Sequence, residues 1–127
     1  MENILERMFK LKEHNTDVRT EVIAGLSTFM TMAYILIVHP SIMKDAGMPV
    51  GAVTTATALI SGIITLFMAF YTNLPFALAP AMGSNAFMAY TLVAGGILNW
   101  QQGITLTLVS GIIFVLFTVF GLRELVI

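Results

Sequence analysis

Hydrophobic residues gather along this chain in long blocks, and each block predicts an element. "VIAGLSTFMTMAYILIV", residues 22–38, is apolar on every helical face and predicts a membrane-spanning helix. It is expected to stop at His39-Pro40, because proline disfavours helix at the residue before it. A polar connection, "SIMKDAGMP", follows. A second span is expected from Gly51 to Tyr71, where Thr54, Thr55, Thr57, Ser61 and Gly62 make a small, hydroxyl-bearing stripe suited to close packing against neighbouring helices. A last uninterrupted span, "GITLTLVSGIIFVLFTVF", runs from Gly103 to Phe120, with Gly121 near the C-cap position and Arg123 just outside the membrane. Ahead of the spans, "NILERMFKLKE" at 3–13 puts Ile4, Leu5, Met8 and Phe9 on one helical face and Glu6, Arg7, Lys10 and Lys12 elsewhere. That pattern suits a short helix lying in the headgroup region and equally a solvated helical lead-in. "HNTD" at 14–17 then supplies turn and N-cap residues.

One apolar block breaks the pattern. "PFALAPAMGSNAFMAY", residues 75–90, carries two prolines and then Gly83, Ser84 and Asn85 in the middle of membrane-like sequence. It divides into "PFALA" (75–79), which can be extended, and "GSNAFMAYTLVAG" (83–95), which can be helical with Ser84 or Asn85 as a cap near its N-terminus. At about 1.5 Å per residue such a helix falls short of the roughly 30 Å hydrocarbon core, and extended chain at about 3.3 Å per residue covers the remainder. Extended backbone at membrane depth is tolerated only where it is buried in protein or lines a polar cavity. Half-helices of this kind form ligand sites near the midplane of secondary transporters, their free N–H groups meeting ligand acceptors. The alternative is a proline-kinked structural helix in which Asn85 bonds a neighbouring helix.

Composition agrees with a membrane chain: 57% of the 127 residues are hydrophobic and 10% charged, against about 25% charged in soluble domains. Mean hydropathy is +0.90. No Asp, Glu, Lys or Arg occurs between Asp45 and Arg123, and Val22 to Met43 is also uncharged. Arg7, Lys10, Lys12 and Arg19 precede the first span, the 39–50 connection holds only Lys44, and 98–102 holds no basic residue. By the positive-inside rule the N-terminus is expected in the cytoplasm. Four crossings then return Arg123 to the same side, which requires the interrupted stretch to cross as well, with Trp100 at the outer interface. The first 21 residues lack the arrangement of a signal peptide. The chain has no cysteine, no paired carboxylates in an apolar setting, no phosphate loop and no cluster with metal-ligand spacing. Nothing in it points to an enzyme, a metal or a cofactor. Six basic residues spread among seven acidic ones do not suit nucleic acid.

"FKLKEHNTDVRTEVIAGLSTFMTMAYILIVHPSIM", followed by "LPFALAPAMGSNAFMAY", closely resembles the N-terminal part of the guanine/hypoxanthine and adenine permeases. These form the AzgA-like branch of the nucleobase transporter superfamily that includes xanthine and uracil permeases. The resemblance implies an all-α integral membrane fold built as two inverted repeats of seven segments, in which the third and tenth segments each join a short strand to a half-length helix and the base binds where they meet. On that pattern this chain holds four membrane segments, Phe76 to Pro80 being the strand of the third and Gly83 to Gly95 its half-helix. Asn85 matches a purine-binding asparagine, whose amide suits a purine edge, and Gly83 a glycine that lets backbone approach the base. Phe76, Ala79 and Ser84 complete the implied substrate-binding set. Ala81 stands where glycine is usual and Ser84 where leucine is common, which would crowd the approach and alter base preference respectively. His39 stands where asparagine is expected and, at the end of a span, is read as interfacial rather than as a proton carrier.

The resemblance also implies proton symport of a purine (adenine, guanine or hypoxanthine) across the cell membrane. Proton coupling needs an ionisable group in the membrane. The family's carboxylates lie in later segments, beyond Ile127. The chain is therefore expected to be an incomplete, multi-pass permease that does not transport alone: residues 1–21 a cytoplasmic amphipathic segment, residues 22–127 the first four segments of the core domain. Its expected partners are the purine, the proton, membrane lipid and the remainder of the permease or other helices. Two other possibilities are a self-contained four-helix oligomeric exporter or channel, which usually places an acidic residue in a span, and a non-transporting membrane fragment.

Overall fold

The computed structural model describes residues 2–121, so Arg123 and its expected return to the cytoplasmic side lie outside the described residues. Three apolar helical units are long enough to cross a membrane: Val18–Asp45, Val50–Thr72 and Trp100–Val119. With hydrophobic side chains exposed along all three, this is a multi-pass membrane protein whose apolar faces are solvated by lipid or by other helices.

Helix α1 (Glu2–Phe9) is amphipathic, as its pattern predicts. Ile4 and Met8 are exposed, and the Phe9 ring packs 5.8 Å from Phe70 near the end of the second span. The first span is two helices in series, α2 (Val18–Met32) and α3 (Ile35–Asp45). They join through a tight turn in which Leu36 N donates to Ala33 O at 3.1 Å and Ile37 N to Tyr34 O at 3.0 Å.

The span does not stop at His39-Pro40; Pro40 sits inside α3 and is fully buried. A proline inside a helix loses one hydrogen bond and presses on the carbonyl four residues back. Here the ring is buried, and the adjacent Ser41 hydroxyl reinforces the ladder by donating to Ile37 O at 2.8 Å. Helix breakers persist in membrane segments when neighbouring helices and hydroxyls supply such compensation. His39 consequently lies within the helix, not at its end.

Helix α4 (Val50–Thr72) is the second span, ended by Asn73 in the left-handed conformation at φ 53°. Of its hydroxyl stripe, Thr57 is buried with Val53, and its hydroxyl donates to Val53 O at 2.7 Å. Residues 74–81 form neither helix nor strand, with a tight turn where Phe76 N bonds Leu74 O and extended backbone at Ala81; α5 (Met82–Ala86) then leads directly into a π-helix, Phe87–Val93. The expected strand at Phe76 to Pro80 is not formed: the stretch has no regular secondary structure, and among the described residues no strand pairing occurs. A strand exists only through a partner's ladder. Helix does occur where Gly83 to Gly95 was expected to be helical, but it runs from Met82 to Val93 and is wound partly as π-helix.

Helix α6 (Trp100–Val119) follows, with the Gln102 side chain accepting from Asn99 N at 3.0 Å in a capping box. Beyond it Gly121 takes a positive φ of 69°, as a glycine closing a helix does. A small core of Met43, Ala46, Val53, Met88 and Ala89 joins α3, α4 and the π-helix. Gly47, in the α3–α4 connection, faces Trp100 Cδ1, and the Tyr90 hydroxyl donates to Asp45 at 3.0 Å. Residues 73–99 thus run from the α1 end of α4 to the opposite end of the molecule, and α6 starts from there.

Candidate functional site

The broken segment is held from two sides. The Leu78 N–H donates to Thr65 Oγ1 of α4 at 3.0 Å, and the Thr65 hydroxyl lies 3.4 Å from Leu78 O. Ala81 is the N-cap residue of α5, with extended backbone and no side-chain cap. Ser84 and Asn85 do not cap the helix: the Ser84 hydroxyl donates back to Ala81 O at 3.2 Å, and the backbone N of Asn85 bonds the same carbonyl at 3.3 Å. The helix begins earlier than Gly83 because Ala81, next to Pro80, already has extended backbone and supplies the first carbonyl.

With its backbone committed to the helix, Asn85 turns its side-chain amide to His39, Nδ2 lying 3.1 Å from Nδ1 of the ring. Both residues line a cleft of about 740 Å³ between α3, α4, α5 and α6, whose walls are otherwise Met43, Met88, Ile60, Ile104 and similar apolar side chains. Thr57 and Thr107 also line it, but their hydroxyls donate to Val53 O and Gly103 O within their own helices. The His39–Asn85 pair is therefore the polar feature of an apolar cleft. An amide offers donors and an acceptor, and a neutral imidazole one of each, so together they match a flat ligand edge that alternates donors and acceptors.

The other expected site residues are distributed differently. Phe76 and Ala79 line a second cavity of about 570 Å³, on the far side of the extended segment against α2 and α4, near Thr65 and Ser61. Gly83 and Ser84 are exposed and line neither cavity, and a Cβ at Gly83 would meet nothing within 4 Å. The structure thus brings Asn85 to His39, sets Phe76 and Ala79 behind them, and leaves Gly83 and Ser84 at the open helix start. His39, read from the sequence as interfacial, is the cleft-lining residue that sequence reasoning misplaced. Its signal was an imidazole inside an otherwise continuous apolar run, hidden by taking Pro40 as a helix stop.

The half-helix is fixed at its far end by close packing. Met88 and Ala89 of the π-helix are buried, and a Cβ on Gly103 of α6 would lie 2.7 Å from Met88 Sδ. Only glycine lets α6 approach that side chain so closely. π-helical turns leave wide, irregular backbone and recur at functional sites.

A sequence model described as the permease family matches residues 19–127. Among curated proteins, the adenine permease AdeP of Escherichia coli (strain K12) is 48% identical over 122 residues, covering 96% of this chain and 27% of that protein. The adenine permease AdeQ of the same strain is 45% identical over 119 residues, covering 94% of this chain and 27% of its own length. The guanine/hypoxanthine permease PbuO of Bacillus subtilis (strain 168) is 42% identical over 120 residues, covering 92% of this chain and 28% of that protein. The chain therefore spans little more than a quarter of the length of these relatives. No solved structure matches the chain.

Proposed function

The chain belongs to the permease family, and on that premise we propose that it forms part of a purine nucleobase transporter. Its segment 73–93 crosses the membrane as a broken element and builds half of the base-binding site. The observation that carries this is the amide of Asn85 paired with His39 on an apolar cleft where the helix is interrupted. A purine is a flat apolar ring with donors and acceptors along its edge, which is the complement of such a cleft. Asn85 reads that edge, Phe76 and Ala79 support the segment from behind, and Gly83 and Ser84 stand at the open start of the half-helix. Since relatives are adenine and guanine/hypoxanthine permeases, adenine, guanine and hypoxanthine are the bases to test.

The crossing of segment 73–93 is supported by its two ends. Asn73 bonds Phe9 O near one end of the bundle, whereas Tyr90 bonds Asp45 at the other. With the basic residues Arg7, Lys10, Lys12 and Arg19 ahead of the first span, the N-terminus lies in the cytoplasm of a cell whose plasma membrane holds the permease. Transport is proton symport. Residues 46–121 carry no Asp or Glu, so the membrane carboxylate that loads and releases the proton belongs to the remainder of the permease.

Uptake decides this. The full-length protein containing this segment is expressed in bacteria lacking their own purine transporters, and accumulation of labelled adenine, guanine and hypoxanthine is followed with and without a protonophore. Accumulation of at least one purine, abolished by the protonophore, is the expected result. No accumulation of any of the three, with the protein present in the membrane, overturns the proposal. A reporter fused to the N-terminus and active only in the cytoplasm tests the orientation.

A further inference from the structure

Hydroxyls on the helices of this protein mostly turn back on their own backbone: Ser27, Ser41, Thr54, Thr72 and Thr107 each donate to the carbonyl four residues earlier. That is the usual resting place for Ser and Thr in a membrane helix. Thr65 departs from it. Its hydroxyl leaves α4 and meets the extended segment, accepting from Leu78 N at 3.0 Å and facing Leu78 O at 3.4 Å. Both backbone polar groups of Leu78 thereby face one side chain.

The segment has few other ties. Pro75 and Pro80 have no N–H, and Phe76 N bonds only Leu74 O, two residues away. Between Leu74 and Pro80, among the described residues, Thr65 makes the hydrogen bonds that reach another element. Unpaired non-helical backbone is heavily penalised in lipid, so a single hydroxyl that meets both groups of Leu78 governs where the segment sits.

We propose that Thr65 is a positioning residue of the purine site: by holding Leu78 against α4 it fixes the extended segment, and with it the places of Phe76 and Asn85. This rests on the purine-transport function proposed above. Thr65 touches no substrate. It acts through backbone placement, so its loss weakens binding while leaving turnover of the occupied transporter largely intact.

The test uses full-length protein carrying Thr65→Val, which keeps the shape and removes the hydroxyl, and Thr65→Ser, which keeps the hydroxyl. Thr118→Val in α6, whose hydroxyl bonds Phe114 O within its own helix, is the control. Two readouts are taken: amide exchange of the peptide covering residues 73–81, and the half-saturation concentration and maximal rate of purine uptake. Thr65→Val is expected to exchange at 73–81 about tenfold faster and to raise half-saturation about tenfold at near-constant maximal rate, as the loss of one net hydrogen bond implies. Thr65→Ser returns both to the parent values, and Thr118→Val matches the parent. Unchanged exchange in Thr65→Val overturns the tie, and faster exchange with unchanged half-saturation overturns its role in the site. If the parent protein takes up no purine, the transport proposal falls separately, and unchanged or accelerated exchange still decides whether Thr65 holds the segment.

Discussion

The side-chain nitrogen of Asn85 lies 3.1 Å from Nδ1 of His39, which ties the first turn of the broken segment to the interior of α3. With the amide nitrogen as donor, Nδ1 accepts and the ring proton sits on Nε2. The pair thus keeps an amide oxygen, a second amide hydrogen and an N–H available in the cleft. Its partners come from segments 46 positions apart, so the polar character of the cleft depends on the fold and not on a local motif.

Because the two side chains share one interaction, their losses are expected not to add. In the full-length permease, Asn85→Ala and His39→Ala should each raise the half-saturation concentration for purine about tenfold or more, with normal membrane insertion. The double variant should be no worse than the weaker-binding single, giving a coupling energy of about 1 kcal/mol or more in a double-mutant cycle. Strictly additive losses would mean that each residue acts alone, and unchanged uptake in Asn85→Ala would remove it from the site.

Gly103 and Met88 set the distance between α6 and the half-helix. A Cβ at Gly103 would come within 2.7 Å of Met88 Sδ and 3.2 Å of its Cγ, so Gly103→Ala requires the methionine to move. Methionine is flexible, and the cost is that of mild overpacking, about 1–3 kcal/mol. Thermal unfolding of purified Gly103→Ala should occur at lower temperature, Gly103→Val lower still, and Met88→Ala should recover part of the loss in the Gly103→Val background. Equal melting temperatures for all of these proteins would show that the contact does not set the packing.

Much of this architecture was legible in the sequence, because membrane spans announce themselves by length and lack of charge. α4 and α6 fall within a few residues of their expected limits, since nothing in either block competes with the helix. The interruption at residues 75–90 was equally plain, prolines and glycine being the strongest breakers of helix in lipid. Pro40 shows the limit. A lone proline in an apolar run signals either a stop or a buried kink, and the choice is made by the packing around the ring, which no local pattern contains. Misplacing that boundary also misplaced His39, and with it the cleft. The extended segment failed as a strand for a related reason: strandedness belongs to a pair, and the sequence of one partner cannot supply the other. Asn85 stood out in the sequence through its match to the family motif, whereas its hydrogen bond to His39 was not legible there.

Asn73 links the N-terminal segment to the start of the broken one. It ends α4 in the left-handed conformation, and its side-chain nitrogen donates to Phe9 O at 3.0 Å while lying 3.4 Å from His14 Nε2. Asparagine and glycine both tolerate that backbone, but only asparagine supplies the bonds. Asn73→Gly therefore isolates the side-chain tie, and Asn73→Ala adds about 1 kcal/mol of backbone strain to its loss. Released from Asn73, α1 keeps the contact between Phe9 and Phe70, whose rings lie 5.8 Å apart, so detachment in Asn73→Gly is partial. Limited trypsin digestion reads this directly, since Arg7, Lys10 and Lys12 lie in the tethered stretch. Cleavage there should be several-fold faster in Asn73→Gly, about the effect of one lost hydrogen bond, and faster again when Phe9→Ala is added. Cleavage of Asn73→Gly at the parent rate would show that the aromatic contact alone holds α1, leaving Asn73 only its role of ending α4.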